Sequence, residues 1–161
     1  MTMPATGDAA PDFTAPLANG DVDEFSLSAE LDEEAPIVLA FFPGAFTGVC
    51  TEEMCTFQDR LAAFDDLDAS VYGVSRDSPF ALNEFRAQND LEFGLISDFN
   101  KEIIDEYGIA MDFDDLGVYG VAKRSVFVVD ADGEITYSWV SDDPGVEPEY
   151  AEVEAAVEDL A

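Results

Sequence analysis

The spacing of apolar and polar residues changes period several times along the chain, and each change marks an element. Ile37 to Phe42 is a short continuous apolar run, the pattern of a strand buried on both faces. It stops at Pro43-Gly44, a breaker pair. From near Thr47 to about Leu67 the period becomes helical, with Cys50, Met54, Phe57, Leu61 and Phe64 on one face. Ser70 to Ser75 and Phe93 to Ser97 read as strands. The helix between them, Pro79 to Asn89, has Ser78 as N-cap and proline at its first position. A short helix at Asn100 to Tyr107 is closed by Gly108. Arg124 to Val129 and Glu134 to Val140 flank Ala131-Asp132-Gly133 as a hairpin, and a last helix covers Pro148 to Leu160. At the start, Asp12 to Ala15 and Val22 to Leu27 form an extended pair around Ala18-Asn19-Gly20-Asp21. The Gly- and Asp-rich stretch Ala110 to Ala122 reads as a loop leading to Arg124. Strands alternating with helices and ending in a hairpin predict an α/β domain with a mixed sheet.

Composition narrows the class. At 161 residues the chain suits one domain with its own core, spanning residues 1–161. No apolar run approaches a membrane span, and the N-terminus has neither the basic nor the apolar region of a signal peptide, so a cytoplasmic protein away from membranes is expected. Charge is the unusual feature: 37 acids face 6 bases, of which only Lys101 and Lys123 are lysines. The acids are interspersed with apolar periodicity instead of gathered in a tail, which argues against disorder and for a surface suited to concentrated salt. In molar salt the Debye length is about 3 Å, so self-repulsion is largely screened. With no basic patch to neutralise phosphates, nucleic acid is not an expected partner. Histidine is absent. That removes Ser-His-Asp and Cys-His catalytic groups, and with them ordinary zinc and His-ligated haem sites.

Both cysteines lie in one segment, Phe41-Phe42-Pro43-Gly44-Ala45-Phe46-Thr47-Gly48-Val49-Cys50-Thr51-Glu52-Glu53-Met54-Cys55. Cys50 falls in or beside the first helical turn after the strand. Free backbone N–H groups and the positive end of the helix dipole favour a thiolate there. Its inward face also fits a buried core thiol. Thr47 is placed to cap the helix, and Pro43 to end the strand. Without histidine, a fixed positive charge near Cys50 must come from arginine. Arg124 is one of four and directly precedes the apolar strand Ser125-Val126-Phe127-Val128-Val129. Glu53, one turn past Cys50, is either a carboxylate that orients Arg124 or a solvated acid.

The pattern Pro43-x-x-x-Thr47-x-x-Cys50 after a hydrophobic strand resembles the peroxiredoxin active site, and Arg124 matches that family's downstream arginine. The likeness runs from Asp12-Phe13 to about Trp139 and includes Leu95-Ile96-Ser97-Asp98 and Tyr107-Gly108-Ile109. Around Ala45 to Cys50 the wording is similar to the one-cysteine alkyl hydroperoxide reductase E type. The Cys50-x-x-x-x-Cys55 spacing resembles the peroxiredoxin Q, or bacterioferritin-comigratory, type. The resemblance implies a thioredoxin-like fold with an N-terminal extension and reduction of hydrogen peroxide and organic hydroperoxides through a sulfenic acid on Cys50. It further implies that Thr47 and Arg124 bind the peroxide oxygens, that Pro43 shields the thiolate from water, and that Cys55 resolves the sulfenic acid. A thioredoxin-type or other thiol reductant would then recycle the enzyme, with no metal, haem or flavin cofactor. Family members are often dimers, and Ile109, Met111, Phe113, Val118 and Tyr119 are the apolar residues offered for a homodimer interface.

Geometry sets a condition on Cys55. At i+5 it lies about 140° around the helix from Cys50 and about 7.5 Å along it. A disulfide spans Cα atoms roughly 4.4–6.8 Å apart, so the bond needs the first turns to unwind. Two other readings stay open. A thioredoxin-like disulfide oxidoreductase would want Cys-x-x-Cys, which is absent, and would leave Arg124 idle. A copper-binding or redox-sensing module could use Cys50, Met54 and Cys55 as soft ligands.

Overall fold

The computed structural model describes residues 3–160. Strands β1 (Thr14–Ala18) and β2 (Val22–Ser26) lead into helix α1 (Leu27–Glu34), and β3 (Ile37–Phe41) follows. Helices α2 (Gly48–Asp59) and α3 (Leu61–Asp66) then precede β4 (Ser70–Ser75). Next come α4 (Pro79–Asn89), β5 (Leu95–Ser97) and α5 (Glu102–Glu106). Strands β6 (Ala110–Phe113), β7 (Val118–Ala122), β8 (Ser125–Val129) and β9 (Ile135–Val140) lead to the final helix α6 (Tyr150–Glu158).

Seven strands make one mixed sheet in the order β2-β1-β5-β4-β3-β8-β9. β3 runs parallel to β4 and antiparallel to β8, so the strand that delivers the cysteine segment is central. Its alternate side chains divide the core. Val38, Ala40 and Phe42 meet Met54, Phe57, Leu82, Phe85 and Val153 on the α2–α3–α4–α6 side. Ile37, Leu39 and Phe41 meet Leu31, Ile103, Ile104 and Tyr107 on the α1–α5 side. The unbroken apolar run is the signature of a strand covered on both faces.

Three expectations change in kind, while β1, β5, α5 and α6 each begin two residues later than predicted. The residues after β2 form α1, which buries only Leu27 and Leu31. Two apolar residues at i, i+4 in eight is too brief a signal to separate from a strand end. The single helix expected from Thr47 to Leu67 is broken at Arg60 (φ −100°, ψ 2°). That residue's guanidinium pairs with Glu154 at 2.9 Å and lies 5.5 Å from the Tyr150 ring, both on α6, so a tertiary contact holds the break. The stretch Ala110 to Ala122 is not a loop but a bulged hairpin, β6–β7, around a turn of 3-10 helix at Asp114–Leu116. Gly117 and Gly120 supply positive φ at the two bends, +66° and +68°, which glycine adopts without strain. Among the described residues no helix is long and apolar enough to cross a membrane.

Candidate active site

The chain leaves β3 with Phe42, whose N–H still donates to the Val74 carbonyl (2.9 Å), and Pro43 then ends the pairing because it has no N–H. Asp77, two residues past β4, accepts from the Ala45 N–H (2.8 Å) and from Ser75 Oγ (2.7 Å), which ties the turn to the sheet. Phe46 takes φ +67°, rare for an aromatic residue, with its ring edge-on to Phe85. Thr47 follows in the extended N-cap conformation and α2 begins.

Cys50 is the third residue of α2 and is 1% exposed. Arg124, equally buried, comes from the opposite direction, out of β7 and just ahead of β8. Its Nη2 donates to Cys50 Sγ at 3.1 Å and its Nη1 to Glu53 Oε1 at 2.6 Å. Nε and Nη2 also donate to the Pro144 carbonyl, at 3.1 and 2.9 Å. Every nitrogen of the guanidinium is thus engaged. Seventy-four residues of sequence separate the cysteine from its cation, and the β3–β8 pairing closes that gap.

Glu53 is completely buried, so of its two readings the orienting carboxylate is the one the fold realises. Its Oε2 is the only buried side-chain nitrogen or oxygen among the described residues without a hydrogen-bond partner. Burial pushes its carboxyl up to about 8, against the opposing pull of Arg124. Burial alone would lower Arg124, but the charges of Glu53 and Cys50 leave it above its ordinary value.

The Thr47 hydroxyl donates to the Gly44 carbonyl at 2.8 Å; it makes neither a side-chain cap nor a hydrogen bond to Cys50. Thr47 lines the same cavity as Cys50. That cavity, about 550 Å³, is lined by Pro43, Thr47, Cys50 and Arg124 on one side and by the β6–β7 hairpin on the other. Pro43 itself is buried.

Cys55 lies apart from this group. α2 is continuous from Gly48 to Asp59, and Cys55 Sγ sits 3.8 Å from Asn89 Oδ1 on α4. Partial burial and the charge of Asp59 raise its thiol above the usual value. Both cysteines are free thiols. Met54 is fully buried in the core, where its sulfur faces the bare Cα of Gly73, so it does not join them as a soft ligand. The Pro144 carbonyl has no sequence signal, since a main-chain acceptor leaves no residue-type signature. Phe113, Val118 and Tyr119, expected at a homodimer interface, line the cavity at Cys50.

The AhpC/TSA family model matches residues 6–138. YkuU of Bacillus subtilis, named as a peroxiredoxin, is 35% identical over 149 residues, covering 87% of this chain and 80% of that protein. Rv2521 of Mycobacterium tuberculosis, named likewise, is 37% identical over 131 residues and 80% of each chain. The crystal structure of peroxidoxin BcpB from Mycobacterium tuberculosis superposes with a TM-score of 0.84 at 28% identity, over 98% of this chain and 99% of that one. With the family match spanning most of the sequence and a cysteine thiol held against a buried arginine, the chain belongs to the AhpC/TSA family and is a peroxiredoxin, a thiol-dependent peroxidase of thioredoxin-like fold.

Proposed function

We propose that Cys50 is the residue oxidised by peroxide. The observation that carries this is the 3.1 Å contact between Cys50 Sγ and Arg124 Nη2 inside a water-poor site open to a cavity. A guanidinium does not lose its proton near neutral pH, so Cys50 Sγ has a permanent positive charge beside it. The thiolate sulfur attacks the terminal oxygen of the hydroperoxide in line with the O–O bond. An S–O bond forms as the O–O bond breaks, sulfur loses two electrons, and the second oxygen leaves as alkoxide or hydroxide to be protonated by solvent. Arg124 and the N–H groups opening α2 stabilise the charge spreading over the two oxygens. Thr47 Oγ1 spends its proton on Gly44, so it is set to accept a hydrogen bond from the peroxide hydroxyl. Pro43 keeps water from the sulfur. The chemistry needs a peroxide and a thiol reductant; a thioredoxin-type dithiol is the reductant in this reading.

Cys55 then resolves Cys50: its thiol displaces water from the sulfenic acid and forms a disulfide. Because α2 is intact between them, that step requires the first turns of the helix to open. A one-cysteine cycle, in which an external thiol attacks the sulfenic acid directly, is the second reading, and the same continuity of α2 favours it.

Of the residues expected at a homodimer interface, Ile109 is in the core and cannot serve, whereas Tyr119 is exposed. The disulfide oxidoreductase and copper readings lose ground, since Arg124 is fully employed at Cys50 and Met54 is in the core. The direct test is peroxide consumption with dithiothreitol, wild type beside Cys50→Ser. Serine is not ionised near neutral pH, so the variant should be inactive yet folded; undiminished turnover would end the assignment.

A further inference from the structure

The cavity at Cys50 is far larger than hydrogen peroxide needs. Its volume is about 550 Å³, against roughly 10–15 Å³ for one water on the same measure. The excess space is not polar. Phe113, Leu116, Val118, Tyr119 and Val121 of the β6–β7 hairpin form its outer wall, and Leu116 is 74% exposed there with nothing packed over it.

At the rim of this wall stands Arg76. Its Nη1 donates to the Tyr119 carbonyl at 2.8 Å, which fixes the guanidinium against the hairpin. In a chain with 37 acids and 6 bases, an exposed arginine should find a carboxylate. Among the described residues Arg76 has none: the ion pairs are made by Arg60, Lys101, Lys123 and Arg124. The nearby acids are held elsewhere, Asp77 by Ala45 N–H and Ser75 Oγ, and Asp112 by Gly120 N–H. The bare backbone of Gly120 lets the Lys101 and Arg76 side chains lie against the hairpin, since a Cβ there would come within 2.8 Å of Lys101 Cε and 3.2 Å of Arg76 Nη1.

We propose that Arg76 and the hairpin wall select amphiphilic organic hydroperoxides, with an apolar body on Leu116, Val118 and Tyr119 and a carboxylate on Arg76. This rests on the peroxidase reading of Cys50 and adds a substrate class to it. Arginine's planar fork matches a carboxylate, and a singly charged head group meets less repulsion from a surface of net charge −31 than a doubly charged phosphate. Arg124, deep in the site beside Cys50 Sγ, is left to the peroxide oxygens.

The test measures the rate of oxidation of the reduced enzyme by three oxidants: linoleic acid hydroperoxide, its methyl ester, and hydrogen peroxide as internal reference. Wild type should prefer the acid over the ester by about tenfold, the size of one charge-assisted contact at an exposed site. Arg76→Gln should bring that ratio close to one. Leu116→Ser should slow acid and ester alike relative to hydrogen peroxide. Equal rates for acid and ester in wild type, or an unchanged ratio in Arg76→Gln, would overturn the assignment of Arg76. A change of oligomeric state in Leu116→Ser, with its selectivity intact, would mean that the hairpin meets a second copy of the chain instead of substrate. Absence of reaction with all three oxidants would instead indict the peroxidase reading of Cys50.

Discussion

Cys50 and Glu53, one turn apart on α2, bind the same guanidinium: Arg124 reaches the sulfur through Nη2 at 3.1 Å and the carboxylate through Nη1 at 2.6 Å. The helix repeat makes this sharing possible, because i and i+3 lie on one face. The carboxylate orients the fork, and the fork presents its second arm to the thiol.

Removing the fork should therefore be felt at the peroxide step. Arg124→Lys keeps a charge but cannot hold Cys50, Glu53 and the Pro144 carbonyl together. Its rate of oxidation by hydrogen peroxide should fall by about 10²–10³, the usual loss for a transition-state donor. Arg124→Ala should in addition lose stability, about 1–3 kcal/mol, since the buried Glu53 carboxyl would be left without its hydrogen-bond partner. Stopped-flow oxidation and a thermal melt check the two effects separately. A Lys variant as fast as wild type would remove Arg124 from the mechanism.

Glu53 makes stability depend on pH with a definite sign. Its carboxyl is raised from 4.5 to about 8 by burial, so the folded state holds this proton where the unfolded chain releases it. The stabilisation is complete below pH 4.5 and is lost as pH rises toward about 8. Glu53→Gln does not titrate. The melting-temperature advantage of wild type over this variant should narrow across that window, and a constant difference would show that Glu53 does not titrate there.

Salt should hold the fold together. Lowering ionic strength from about 1 M to about 0.1 M lengthens the screening distance from about 3 to about 10 Å and restores repulsion among the excess acids. The melting temperature should fall steadily over that range in potassium chloride. Its independence of salt would remove the reading of the surface as a high-salt adaptation.

Cys55 can be assigned by mapping. If it resolves Cys50, one equivalent of peroxide yields an intramolecular disulfide with loss of both thiols, and amides from Thr47 to Phe57 lose protection from hydrogen exchange as α2 opens. Cys55→Ser should then stall at sulfenic acid and over-oxidise readily. Finding Cys50 sulfenic acid with Cys55 still a free thiol in the wild type would establish the one-cysteine cycle.

The strand–turn–helix at Cys50 was legible in the sequence because its signals are local: an apolar run, Pro43-Gly44, and a helical period beginning at Thr47. The central strands and most helices could be read for the same reason. The family pattern also picked out Arg124, 74 residues from Cys50, although no period or propensity connects them. Local pattern could not separate the two readings of Glu53. It is one acid among 37 in sequence, and only the packing of α2 against β8 and α6 strips its water and hands it a guanidinium. The bend at Arg60, the β6–β7 hairpin with its apolar wall, and the Pro144 carbonyl under Arg124 likewise depend on contacts between distant segments. Short-range periodicity records which face of an element is apolar. Which other face it meets, and hence where charge and open space come to lie around Cys50, is decided only when the sheet assembles.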